Sequence, residues 1–250
     1  MIGFRQRMEK SSSKKGRIIL ANDLDDVNIE KLEKKTISNI KNLGKYLCAI
    51  KFNFHVMLPL GEKSLSKINR LAHNEGLQTI ADMKLNDIGN TNMIAIKRLW
   101  KCGFDAVIAN PIMGPENLKE LVKAAHNGGH GVITLVHMSH PGAKLGYGLS
   151  VQDPKTGRAQ KLHDLFLKWS YSSNVDGIVV GATVPDIIAY TKKAVRGRCD
   201  IYSPGVGTQG GDATKSLQAG SRYLIVGRTI LNSKNPVLEA KKLQQLSLES

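Results

Sequence analysis

The feature that most constrains this chain is an alternation. Eight short apolar, β-branched runs recur along it, near 17–22 (RIILAN), 47–53 (LCAIKFN), 78–83 (QTIADM), 105–110 (DAVIAN), 131–136 (GVITLV), 176–180 (DGIVV), 199–203 (CDIYS) and 222–226 (RYLIV). Each has the length of a strand and is bounded by turn residues. Longer amphipathic stretches separate them. In 61–76, for example, Leu65, Ile68, Leu71 and Ala72 fall at the three-four spacing of one helix face. Regular alternation of strand and helix defines an α/β fold with a parallel sheet. Two arrangements use that pattern: an open doubly wound sheet and a closed (β/α)8 TIM barrel. Eight repeats within 250 residues match the barrel, whose usual length is about 250 residues, so the expected fold is a single (β/α)8 barrel domain over 17–250.

Two segments stand outside the repeat. Residues 1–16 hold Arg5, Arg7, Lys10, Lys14 and Lys15 against Glu9, with three consecutive serines, and read as a basic flexible N-terminal tail. Residues 139–157 (SHPGAKLGYGLSVQDPKTG) are rich in Gly, Pro and polar side chains and separate the fifth run from the sixth. A long loop at that point of a barrel lies on the catalytic face, and we expect a mobile lid.

Charge is the unusual figure in the composition: 36 Lys+Arg against 21 Asp+Glu, a formal net of +15. It raises nucleic acid, an anionic membrane face or an acidic small molecule as partners. Aromatic residues make up only 5% and are not interleaved with the basic ones, which disfavours a single-strand stacking platform. No stretch approaches the 18 or so consecutive apolar residues of a membrane span. The opening residues lack the apolar core of a secretory signal. Cys48, Cys102 and Cys199 are far apart and odd in number, which fits free thiols in a reducing compartment and a cytoplasmic location. A small-molecule substrate is therefore expected, with no membrane and no specific nucleic acid as partner.

In a barrel the C-terminal strand ends carry the chemistry. The first run ends in Asp23, the second contains Lys51, and the third ends in Asp82-Met83-Lys84, followed by Asp87. Residues i and i+2 of a strand share a side, so Asp82 and Lys84 face the mouth together. Three carboxylates and two ammonium groups on consecutive strand ends are costly to desolvate unless they serve a site with tuned protonation states. A salt-bridge closure of the barrel top is the alternative. After the seventh run comes Ser203-Pro204-Gly205-Val206-Gly207-Thr208-Gln209-Gly210-Gly211-Asp212, and Gly227-Arg228 ends the eighth. Loops seven and eight of a barrel often hold phosphate on backbone N–H groups, and Arg228 adds a fork of donors. Gly205-x-Gly207-x-x-Gly210 also fits the dinucleotide fingerprint, but the acid expected about 20 positions on for the ribose is missing. His137 and His140 lack the further ligands that a metal site needs, and neither a nucleophile elbow nor a P-loop is present.

RIILANDL with Asp23, AIKFN with Lys51, ADMKLNDIGNTN, MSHPGA, SPGVGTQGGD and IVGR together resemble the orotidine 5′-phosphate decarboxylases, particularly the archaeal-type short form, from about 17 to about 235. The resemblance implies decarboxylation of orotidine 5′-monophosphate to uridine 5′-monophosphate, the last step of de novo UMP synthesis, with no metal and no organic cofactor. It implies that Lys84 protonates C6 within a charge network of Lys51, Asp82, Lys84 and Asp87. It implies a homodimer in which Asp87 enters the neighbouring site. Asp23, Lys51 and Thr91 would hold the ribose, Ser139 the pyrimidine, and Pro204, Gly205, Gly207, Gly210, Gly227 and Arg228 the phosphate. Gln209 would span phosphate and base, and Asp82, Asp87 and Ile88 would also contact substrate. In one departure, Gly89 stands where the family usually has proline. An Asp-x-Gly here also resembles the magnesium-dependent sugar-phosphate decarboxylases and hexulose-phosphate synthases of the same superfamily. Those look for a glutamate on the second strand, where this chain has Lys51.

Overall fold

The computed structural model describes residues 2–153 and 156–249. The barrel strands are β1 (Ile18–Ala21), β2 (Ala49–Asn53), β3 (Gln78–Leu85), β4 (Ala106–Ala109), β5 (Gly131–His137), β8 (Gly177–Val180), β9 (Asp200–Pro204) and β10 (Tyr223–Val226). Two further strands, β6 (Ser150–Gln152) and β7 (Ala159–Lys161), form an antiparallel hairpin outside the barrel. The eight barrel strands are all parallel and close in the order β1-β10-β9-β8-β5-β4-β3-β2. The expected (β/α)8 barrel is what forms. Each of the eight apolar runs supplies one strand, to within a residue or two of its expected place.

The helices are α1 (Phe4–Lys15), α2 (Ile29–Leu43), α3 (Phe54–Asn74), α4 (Gly89–Lys101), α5 (Pro115–Asn127), α6 (Ala143–Tyr147), α7 (Leu162–Ser172), α8 (Pro185–Val195), α9 (Ala213–Ala219), α10 (Arg228–Leu231) and α11 (Pro236–Glu249). In α3, Leu65, Ile68 and Ala72 are buried as the spacing predicts, and Leu71 packs at the edge of the core. Among the described residues, no helix is long and apolar enough to cross a membrane.

Strand alternation divides the core in two. Ile18, Leu20, Ile50 and Ala81 face the helices, whereas Ile19, Ala21, Ala49 and Ile80 fill the barrel interior. Lys51 and Asp82 continue the inward parity of Ala49 and Ile80, which carries two charged groups to the top of the interior. The floor is closed by the rings of Tyr202 and Tyr223, centroids 4.8 Å apart, together with Phe4 and Met8. Large rings fit there because a small residue faces them. A Cβ on Gly131 would lie 2.2 Å from the Phe4 ring, and one on Gly177 would lie 2.2 Å from that of Tyr202.

The opening segment departs from expectation. It is not a flexible tail; residues 4–15 form helix α1 across the barrel floor, and Met1 lies outside the described residues. The reason is a face that its low hydropathy conceals. Phe4 and Met8 are four apart, share one side and are fully buried. The basic residues then pair downward: Arg5 grips Asp200 with two hydrogen bonds of 2.9 and 3.0 Å, and Arg7 pairs with Asp105 at 3.0 Å. Stretch 139–157 also carries more structure than a loop, holding α6 and strand β6 of the hairpin. Residues 154 and 155 of the expected lid lie outside those described.

Candidate active site

A cavity of about 410 Å³ opens at the C-terminal mouth of the barrel. Its base is apolar and comes from the inward positions of four strands: Ile108, Leu135, Val179 and Ile225. Two polar walls rise from it.

The first wall is a chain of charges on β1, β2 and β3. Lys51 Nζ donates to Asp82 Oδ2 at 2.8 Å and to Asp23 Oδ1 at 3.3 Å, and Lys84 Nζ donates to Asp82 Oδ1 at 2.8 Å. The signs alternate along Asp23, Lys51, Asp82 and Lys84, and the four sum to zero. Lys51 and Asp82 are only 4% and 6% exposed, so water screens neither. Burial works against both charges, but the partners win. Asp82 and Asp23 lift the Lys51 ammonium above its ordinary range, and Lys51 and Lys84 hold the Asp82 carboxyl below its own. Lys51 and Asp82 therefore both stay ionised at neutral pH. Asp23 sits two residues past the end of β1, and Lys84 lies within β3 at φ 49°. There the register of β3 against β4 shifts between Ala81 and Leu85, a bulge that turns the Lys84 side chain back onto Asp82.

The second wall is the turn after β9 together with the end of β10. Pro204, Gly205, Val206, Thr208, Gln209, Gly227, Arg228 and Thr229 line it. Gly205 takes φ 96°, and a Cβ there would lie 2.6 Å from Ser139 and 2.8 Å from Gln209 Oε1. Only glycine lets the two sides of the mouth meet, where Ser139 Oγ donates to Gln209 Oε1 at 2.5 Å. The Gln209 backbone N–H makes no hydrogen bond among the described residues, and those of Arg228 and Thr229 head helix α10 without a partner in it. Three free donors beside a guanidinium form a cradle for an anion.

The structure brings Asp23, Lys51, Asp82, Lys84, Ser139, Pro204, Gly205, Gln209, Gly227 and Arg228 around one cavity. Gly207 and Gly210 do not line it but set the turn, at φ 74° and 88°. Asp87, Ile88 and Thr91 are exposed and lie outside the cavity of their own chain; Asp87 Oδ1 is occupied by the Ile88 N–H at 2.7 Å. Gly89 takes the first position of α4, a position where proline is common. His137 is a core residue, buried against Tyr147 and His163, with burial pushing its pKa down. Among the described residues, no group of three or more His, Cys, Asp or Glu is placed to hold a metal ion. Sequence reasoning passed over Asn53, Thr229 and the apolar base, weighed His140 only as a metal ligand, and took Thr208 only as part of the glycine-rich turn. Counting inward parity along β4, β5, β8 and β10 finds that base; nothing local marks the rest.

A closed parallel barrel whose mouth joins buried charges of alternating sign to a cluster of free donors has the layout of a barrel enzyme. The chain belongs to the orotidine 5′-phosphate decarboxylase / HUMPS family, whose model matches residues 16–243. An orotidine 5′-phosphate decarboxylase of Pyrococcus abyssi is 31% identical over 226 residues, covering 90% of this chain and 96% of that one. One from Thermoplasma volcanium is 33% identical over 231 residues, 92% of either chain. Among solved structures, orotidine 5′-monophosphate decarboxylase of Methanocaldococcus jannaschii, complexed with the inhibitor BMP, superposes with a TM-score of 0.76 at 27% identity, covering 94% of this chain and 99% of that one.

Proposed function

We propose that the chain is an orotidine 5′-phosphate decarboxylase, a carboxy-lyase that converts orotidine 5′-monophosphate to uridine 5′-monophosphate and CO2. The observation that carries this reading is the run Asp23–Lys51–Asp82–Lys84 beside an anion cradle in one cavity. Family membership and the relatives named above support it.

Loss of CO2 from C6 of the pyrimidine leaves a carbanion with no adjacent carbonyl to spread its charge. The catalytic requirement is fixed positive charge at that carbon, followed by a proton. Lys84 supplies both. Asp82 aims Lys84 through their 2.8 Å hydrogen bond, and it crowds the substrate carboxylate, a repulsion relieved as CO2 leaves. Asp23 and Lys51 hold ribose hydroxyls, Ser139 holds the pyrimidine, and Gln209 spans base and phosphate. The turn 204–211 with Gly227 and Arg228 takes the phosphate. That end is remote from the bond broken, so its binding energy can be spent on positioning the reacting end. The proposed chemistry draws on side chains alone, without metal or organic cofactor.

Asp87, Ile88 and Thr91 then complete the site of a second copy in a homodimer. Two observations support this. The three do not reach their own cavity, and large apolar side chains stand exposed in the first turns of α3 and just before α4, with Leu58 at 79% and Ile88 at 68%. The three cysteines are free and buried, in keeping with a cytoplasmic protein. The magnesium-dependent sugar-phosphate reading needs a carboxylate on β2, and Lys51 holds its cavity-facing position.

The test is ultraviolet-detected loss of orotidine 5′-monophosphate. We expect turnover that EDTA leaves unchanged, and a Lys84→Ala variant that does not turn over but still binds uridine 5′-monophosphate. Chelator-sensitive activity on a ketose phosphate, with none on the nucleotide, would overturn the reading.

A further inference from the structure

The anion cradle has two halves from different parts of the chain, the turn after β9 and the head of α10. One hydroxyl joins them. Thr229 Oγ1 donates to the Val206 carbonyl at 2.9 Å and accepts from the Thr208 N–H at 3.2 Å. It also meets Thr208 Oγ1 at 3.1 Å. A hydroxyl has one donor and two acceptor positions. With the donor committed to Val206, both lone pairs face Thr208, so the Thr208 hydroxyl is the donor in the third contact. All three capacities of Thr229 Oγ1 are thus spent on one turn. The approach is close enough to dictate the residue between them: a Cβ on Gly207 would lie 2.4 Å from Thr229 Oγ1, and Gly207 also takes φ 74°.

The consequence concerns geometry at the anion. Thr229 follows Arg228 directly in α10, and Thr208 precedes Gln209 in the turn. Fixing Thr229 to Thr208 therefore fixes the free Gln209 N–H relative to the Arg228 side chain and the N–H groups of Arg228 and Thr229. The Thr208 N–H itself is spent on the clasp and unavailable to an anion.

We propose that Thr229 is a positioning residue: its hydroxyl sets the spacing of the two halves of the cradle and so tunes affinity for the phosphate group of the ligand. The proposal deepens the phosphate assignment made above and rests on it. The mechanism implies a particular signature. Removing the hydroxyl loosens recognition of phosphate, while the distant charge chain and the apolar base keep their geometry.

Thr229→Val preserves shape and removes the hydroxyl, and Thr229→Ser restores it. We expect Thr229→Val to raise KM for orotidine 5′-monophosphate about tenfold with kcat within about threefold, and Thr229→Ser to return KM to within about twofold. By calorimetry, Thr229→Val should weaken uridine 5′-monophosphate and inorganic phosphate by similar factors while leaving uridine unchanged. Wild-type phosphate affinity in Thr229→Val overturns the proposal. So does an equal loss of uridine, which reports collapse of the mouth, and so does failure of Thr229→Ser to recover. Inorganic phosphate binding needs no turnover, so this test stands even if orotidine 5′-monophosphate proves not to be the substrate.

Discussion

Lys84 pays for its place in backbone conformation. A non-glycine residue at φ 49° costs about 1 kcal/mol or more, and such costs persist where surrounding structure enforces them. What enforces this one is the bulge in β3 and the 2.8 Å hydrogen bond to Asp82. Asp82 in turn depends on Lys51. Its carboxyl lies below the ordinary range, so its contribution to stability is present above about pH 4 and is lost as pH falls through the depressed value. Lys51 is raised, so its contribution is complete below about pH 10 and is lost as pH climbs through the raised value. The charge chain therefore stabilises the fold across the whole neutral range. Lys51→Met leaves Asp82 buried with one partner. We expect a loss of about 3 kcal/mol at neutral pH and an onset of acid unfolding at higher pH than in the wild type, read from Tm between about pH 3 and 7.

At the scale of elements, α1 acts as the barrel's floor. Phe4 fills the space that Gly131 leaves open, which couples a helix near residue 4 to a strand near residue 131. Phe4→Ala should cost about 3 kcal/mol in urea unfolding. Gly131→Ala should also destabilise, because its methyl group meets the ring. The double variant should lose clearly less than the two single losses combined, since each change makes room for the other; strict additivity would sink the packing argument. This element also shows where the sequence was legible. The eight strands were readable because each run has an apolar, β-branched centre flanked by turn residues and the period repeats. Asp82 and Lys84 do meet on one side, but through the bulge in β3 rather than through the regular strand parity that the sequence suggested. Helix α1 was not readable, because two apolar positions among basic and serine residues give a faint periodic signal. Its partners, Asp105 and Asp200, lie 98 and 195 residues away. Thr229 was missed for the same kind of reason: its role exists only through a contact with a turn some twenty residues earlier.

For the whole molecule, the formal +15 has to be located away from the catalytic charges, because two lysines and two aspartates cancel there. A field of that sign can draw in a polyanionic nucleotide at low salt, but it does not identify one. The proposed assembly makes a sharper claim. If Asp87 serves the partner's site, Lys84→Ala and Asp87→Ala chains are each inactive alone yet complementary when mixed. Random reassortment puts one intact site in half of the dimers, so the mixture should regain about a quarter of wild-type activity per protomer. No recovery after verified subunit exchange would assign Asp87 to its own chain or to no site.

The floor helix has a further consequence, for the order in which the molecule can be made. Its clasp on Asp200 spans 195 residues, and the Arg17 side chain reaches Ser247, 230 residues on. A ribosome adding about 5–20 residues per second exposes Phe4 and Met8 on the order of ten to forty seconds before Asp200 is synthesised. During that interval the floor that the first helix covers is incomplete. The earliest part of the chain to emerge is among the last to find its place, and the nascent protein carries an unsheltered greasy patch until the cylinder it stoppers has been nearly completed.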